Sequence, residues 1–86
     1  MNYRVELAPA TKRQIRKLSS TNRKRILDAL EKLAHNPRPS GVVKLTGEEN
    51  LYRIRVGSYR IIYDIQDQLL TLLVVKVGPR RDVYRK

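Results

Sequence analysis

The chain is 86 residues long, which predicts one domain spanning 1–86 around a modest core. It holds no cysteine, which excludes disulfides and thiolate metal sites and suits a reducing, cytoplasmic setting. Nineteen lysines and arginines against eight acidic residues give a net charge of +11, and self-repulsion of that size points to an anionic partner.

Asn2 to Leu7 alternates, with Tyr3, Val5 and Leu7 on one side and Arg4 and Glu6 on the other, as a half-buried strand does. Pro9 suits the first turn of a helix in which Ile15 and Leu18 share a face. Ser19-Ser20-Thr21-Asn22 is a break rich in capping residues. A second helix follows, with Ile26, Leu27, Leu30, Leu33 and Ala34 at helical spacing, until Asn36-Pro37-Arg38-Pro39 stops it. The two helices read as an antiparallel hairpin. Val42 to Leu45 is a short strand, and Leu51 to Val56, Tyr59 to Ile65 and Leu69 to Val77 are longer ones. Gly57-Ser58 and Gln66-Asp67-Gln68 are the turns between the long strands, and Gly78-Pro79 closes the last. The predicted layout is β-α-α-β-β-β-β. This is an α+β fold, in which a mainly antiparallel four-strand meander follows the first strand and the helix pair covers one face.

A two-residue loop at Gly57-Ser58 fixes the hairpin register, so Val56 pairs with Tyr59 and Arg55 with Arg60. One face then carries Tyr52, Ile54, Val56, Tyr59, Ile61 and Tyr63; the other carries Arg53, Arg55, Arg60 and Ile62. Like charges placed opposite each other destabilise a sheet by roughly 0.2–1 kcal/mol per pair. Converging guanidiniums are nevertheless what a phosphate site needs, because they are permanently charged and their planar forks match phosphate oxygens. The plainer alternative is a solvated face. A turn after the last strand would bring Arg80 or Arg81 and Tyr84 across this face, where a ring can stack on a base or move a proton; otherwise Val83 and Tyr84 simply cover apolar surface. Ile62, Leu72 and Val74 are expected beside the arginines. Arg23-Lys24-Arg25 opens the second helix, either gripping phosphate or forming a solvated face. His35 ends that helix, where histidine bonds carbonyls. No metal-ligand cluster, phosphate-binding glycine motif or serine-histidine-acid set is legible, and no cofactor is expected. The apolar run Leu72 to Val75 is too short to span a bilayer, no segment joins a basic face to a broad apolar one, and the first five residues form no apolar signal, so a soluble protein is expected.

Four stretches in order resemble the RelE/ParE toxin superfamily. They are Lys44-Leu45-Thr46-Gly47; Leu51-Tyr52-Arg53-Ile54-Arg55; Tyr59-Arg60-Ile61-Ile62-Tyr63; and Val77-Gly78 with Arg80, Arg81, Asp82, Val83 and Tyr84. The resemblance implies the toxin of a type II toxin-antitoxin system, which cleaves messenger RNA on the ribosome by attack of a 2′-hydroxyl on the adjacent phosphate. It places Arg53 and Arg55 at two catalytic lysine positions, Arg60 and Arg80 at phosphate-binding arginines, and Tyr84 at a C-terminal tyrosine. Arg81, Lys44, Arg23 and Lys24 become further RNA contacts. Arginine in place of lysine keeps the charge but weakens a general-base role, and Pro79 stands where many relatives carry histidine or lysine. The implied partners are messenger RNA, the ribosome and an acidic antitoxin that folds on binding. Two other readings remain: a ParE-like inhibitor of DNA gyrase without nuclease activity, and a non-catalytic RNA-binding module.

Overall fold

The alternation near the start produces β1 (Arg4–Leu7), with Val5 and Leu7 packed inward and Arg4 and Glu6 exposed. The computed structural model of the chain describes residues 2–45, 47 and 50–79. Helix α1 (Pro9–Arg16) starts on proline, whose missing N–H would lack an intrahelical partner anyway. Helix α2 (Ser20–His35) is capped by Ser19, whose hydroxyl accepts the Asn22 N–H at 3.2 Å. It stops before Pro37, because the residue preceding a proline is pushed out of helical conformation.

Strands β2 (Val43–Lys44), β3 (Leu51–Val56), β4 (Tyr59–Gln66) and β5 (Thr71–Pro79) join β1 in one sheet of order β1-β5-β4-β3-β2. The pairing is antiparallel except that β1 runs parallel to β5. Ile15, Ile26, Leu30 and Leu33 of the helices meet Ile61, Tyr63, Ile65, Leu72, Val74 and Val77 of the sheet in one core. The predicted hairpin register holds, with Val56 opposite Tyr59 and Arg55 opposite Arg60. Gly57 takes φ 61° at the first central position, as a type II′ turn requires.

Three expected boundaries move. The last strand starts at Thr71, since Asp67–Leu69 form a 3₁₀ turn and Leu70 (φ 48°) ends it in left-handed conformation. It also runs on through Gly78 and Pro79, which pair with Arg60 and Tyr59, so the chain does not turn there. Strand β2 is only two residues long because Pro39 to Val42 form a turn, closed by the Val42 N–H on the Pro39 carbonyl with Gly41 at φ 91°.

A β-bulge corrects the expectation for Leu72 and Val74. Ile62 pairs with Lys76 but Tyr63 pairs with Val74, which leaves Val75 as an extra residue. Regular pairing would have put Val74 outward. The bulge instead turns Leu72 and Val74 into the core, both 0 % exposed, and sends Leu73 to the outer face. Helix α1 satisfies the backbone groups around it. The Val74 carbonyl accepts the Ala8 N–H at 3.0 Å and the Thr11 hydroxyl at 2.9 Å, and the Val77 N–H donates to Gln14 Oε1 at 2.8 Å. Gln14→Leu keeps the bulk but strips that acceptor, so unfolding in urea should show a loss of about 1–3 kcal/mol.

A polar clamp ties the other end of the sheet. Asp67 accepts two bonds from the Arg38 guanidinium, at 2.9 and 3.3 Å, and one from the Tyr3 hydroxyl at 2.6 Å. Arg38 Nε also donates to the Tyr52 hydroxyl, and its guanidinium lies 5.3 Å from the Tyr52 ring centre. The buried Tyr63 hydroxyl donates to the Pro37 carbonyl, and burial pushes the Tyr63 phenol well above its ordinary pKa. The Arg38 hydrogen bonds, then the Tyr3 bond, hold the Asp67 carboxyl below the usual carboxylate range. A carboxyl with a depressed folded pKa adds stability above its unfolded value, and that stability is lost as pH falls through the folded value. Urea midpoints of the wild type should therefore drop on acidification below the normal aspartate range, and Asp67→Asn should flatten this part of the profile while lowering stability at neutral pH.

Candidate functional site

The register that buries Ile54, Val56, Tyr59 and Ile61 on the helix side forces Arg53, Arg55 and Arg60 to the opposite face. Residues flanking a two-residue turn exchange both backbone bonds, so the next pair, Arg55 and Arg60, is a close non-bonded one with Cα atoms about 4.5 Å apart. Arg53 sits across from Ile62 on the same face. The three arginines line a cleft of about 350 Å³, closed on its far side by Ser40, Gly41 and Val43. Arg55 is exposed, whereas Arg60 is only 3 % exposed, so the base of the cleft is a positive charge largely withdrawn from water. Such a charge acts on an incoming anion with less screening than a surface one. Gly78 lies directly across from Arg60 and adds no side chain to this face.

One residue joins the arginine face that sequence reasoning did not place there, and another reaches the hairpin tip from the helix side. Lys76 pairs with Ile62 and therefore points outward beside the arginines. Arg25 reaches from α2 to the hairpin tip, its Nη1 3.3 Å from where a Cβ on Gly57 would stand. The Arg23-Lys24-Arg25 run was the available signal for Arg25; only the packing of α2 shows which of the three approaches the sheet. Asp64 also faces outward on β4, and its Oδ1 is buried without a hydrogen-bond partner among the described residues.

Other expected contacts are employed elsewhere. Arg23 caps the end of α1, donating to the carbonyls of Leu18 at 2.9 Å, Arg16 at 3.2 Å and Ile15 at 3.4 Å. It therefore closes a helix rather than reaching for phosphate. Lys24 pairs with Asp28 at 3.3 Å along the exposed side of α2. Lys44 is opposite Tyr52, so it leaves the sheet on the helix side, away from the arginines. Arg80, Arg81 and Tyr84 lie outside the described residues. Among the described residues no three His, Cys, Asp or Glu side chains gather as a metal site, and no helix is long and apolar enough to cross a membrane.

Comparison with known proteins follows the same lines. Residues 5–84 match the family model described as ParE toxin of type II toxin-antitoxin system, parDE. The mRNA interferase toxin RelE of Escherichia coli is 31% identical over 88 residues, covering 98% of this chain and 92% of that protein. Toxin RelG of Mycobacterium tuberculosis is 31% identical with both chains fully covered. RelE in the archaeal RelE-RelB complex from Pyrococcus horikoshii superposes with a TM-score of 0.82 at 30% identity, over 93% of this chain and 97% of that one. Sheet order, arginine register and these matches agree: the chain belongs to the RelE/ParE superfamily of type II toxins.

Proposed function

We propose that this toxin is an endoribonuclease that cleaves messenger RNA on the ribosome. The observation that carries the proposal is the cleft in which Arg53, Arg55 and Arg60 converge at the hairpin. In this reading the 2′-hydroxyl of one nucleotide loses its proton and attacks the adjacent phosphate. The bond to the 5′-oxygen of the next nucleotide breaks as that oxygen takes up a proton, leaving a 2′,3′-cyclic phosphate and a 5′-hydroxyl. The phosphorane between them carries an extra negative charge, and preorganised guanidiniums stabilise it more than they stabilise the ground state. Arginine hardly deprotonates, so Arg53 and Arg55 act as charges and not as bases. Tyr84 is the candidate for proton transfer or base stacking, with Arg80 completing the phosphate clamp and Arg81 a further RNA contact. Alignment of the message by the ribosome supplies the proximity that makes a weak base sufficient. The reaction requires no metal ion or cofactor, so chelation should leave it unchanged.

In the same proposal an acidic antitoxin restrains the toxin in the cytoplasm. The net charge of +11 supports this, as does the assembly of the Pyrococcus relative with RelB. The deciding experiment is induced expression followed by mapping of messenger 5′ ends. New ends within translated frames, carrying 5′-hydroxyls, are expected. The match to a family model named for ParE favours one rival, inhibition of DNA gyrase. Inhibited supercoiling in vitro with messages left intact would establish that rival instead.

A further inference from the structure

The loop between α2 and β2 passes from one side of the sheet to the other. At its start it is tied down on the helix side. The buried Tyr63 hydroxyl donates to the Pro37 carbonyl at 2.6 Å, and the Arg38 guanidinium lies 5.3 Å from the Tyr52 ring centre. Every nitrogen of that guanidinium is engaged: Nε donates to the Tyr52 hydroxyl at 3.3 Å, and Nη1 and Nη2 donate to Asp67 at 3.3 and 2.9 Å. Tyr52 and Tyr63 pack with the core, so Arg38 stands on the face away from the arginine cleft. Two residues later the same loop has crossed to the outer face. There Ser40 and Gly41, with Val43, form the far wall of the cleft, opposite Arg53, Arg55 and Arg60. The link is short and stiff. Pro37 and Pro39 fix their own φ on either side of Arg38, whose N–H donates to Asn36 Oδ1 at 3.3 Å. The Val42 N–H closes the following turn on the Pro39 carbonyl at 3.2 Å. From Arg38 to Ser40 the chain extends at most about 7 Å, so movement of one is felt at the other.

We propose that Arg38, clamped between Asp67 and Tyr52 on the helix side, is a positioning residue for the arginine cleft: it holds Ser40 and Gly41 as the wall that keeps a phosphate against Arg55 and Arg60. Arg38 touches nothing that the cleft holds. It acts through the loop, as a supporting shell acts on the groups that meet the substrate. With the clamp released the three arginines keep their places in β3 and β4, so the charge that attracts RNA is unchanged. What is lost is the fixed far wall, and with it the alignment of the reacting phosphate, which costs rate more than affinity. The holding of the wall stands by itself; its effect on rate rests on the reading of the cleft as an RNA-cutting site.

The test compares Arg38→Gln, Asp67→Asn and Thr11→Val. The last strips a buried hydrogen bond between α1 and the Val74 carbonyl of β5, away from the cleft, and controls for lost stability. Single-turnover cleavage on programmed ribosomes gives the rate at saturating toxin and the toxin concentration at half saturation. Amide exchange reports on the Val42 N–H. Both clamp variants should lower the saturating rate about tenfold, shift half saturation by less than about threefold, and speed Val42 exchange. Thr11→Val should leave all three near the wild type at a temperature where every variant is folded. The two clamp variants change the net charge in opposite directions, so a direct grip of Arg38 on RNA would give a different pattern, with loss in Arg38→Gln and full or higher activity in Asp67→Asn. That pattern would overturn the proposal. So would unchanged Val42 exchange in the clamp variants, or an equal loss of rate in Thr11→Val. If a clamp variant does not fold, Tyr52→Phe keeps the ring and strips one bond to Arg38. It should show the slower rate and the faster Val42 exchange on a smaller scale, and absence of either would overturn the proposal. A wild type that cleaves no message would defeat the ribonuclease reading, while Val42 exchange in the variants would still decide whether the clamp holds the wall.

Discussion

Arg60→Ala should lower messenger cleavage by about a hundredfold to a thousandfold and relieve growth arrest. The estimate is that for removing one preorganised stabiliser of a developing oxyanion. Arg60 is the arginine for which this size of effect is expected, because its guanidinium is almost wholly withdrawn from water whereas Arg55 is exposed. A charge held in place and poorly solvated needs no reorganisation when the phosphorane forms. Arg60→Lys keeps a positive charge but loses the planar fork, so it should recover only part of the rate. Primer extension on translating ribosomes with purified protein measures the rate, and circular dichroism confirms that the variants fold. Cleavage at the wild-type rate in the alanine variant would remove this cleft from the reaction.

The second large effect concerns two neighbours in sequence. Leu72→Asp should unfold the protein or cost upwards of about 4 kcal/mol, whereas Leu73→Asp should cost far less, about 1–2 kcal/mol. Leu72 is 0 % exposed and packs in the core, so the substitution removes about 1.5–3 kcal/mol of apolar burial and leaves a carboxylate with no partner among hydrocarbon. A domain of this size has only about 5–15 kcal/mol in total. Leu73 is half-buried on the outer face, outside the core, beside Asp64 of β4 and Glu6 of β1, where a further carboxylate keeps part of its hydration and meets like-charge repulsion. Urea denaturation of the two variants gives the comparison. If Leu72→Asp were the tolerated one, the bulge at Val75 would be misplaced.

How much of this the sequence carried depends on whether the governing contact was local. The hairpin was legible because a two-residue loop with glycine first admits one register, and the register then fixes the face of every side chain from Tyr52 to Tyr63. Both helices were legible from periodicity, the Ser19 cap and the Pro37 stop. The bulge was not. Leu72-Leu73-Val74-Val75 is uniformly apolar, so nothing in the run marks which residue is the extra one. That choice is made by Thr11 and Gln14, 63 residues away in the chain, which meet the backbone on either side of Val75. Arg23 and Arg25 show the same limit from the other direction. They sit two positions apart in one basic run, yet one caps α1 and the other reaches the hairpin tip, and only the packing of α1 and of the sheet against α2 separates them. The site followed the fold in this respect. Arg53, Arg55 and Arg60 were placed by strand alternation, while Lys76 needed the pairing of β4 with β5.

The parallel pairing of β1 with β5 has a consequence for synthesis. The partner of the earliest strand is the last one in the sheet, so a growing chain carries β1 with its edge unmatched until β5 has been made. The same strand supplies Gly78 opposite Arg60, so the strand that flanks the arginine hairpin is the last of the sheet to be made. A chain that stops before β5 is made therefore leaves both β1 and the arginine hairpin with an open edge, the kind of exposed strand that invites pairing with another copy.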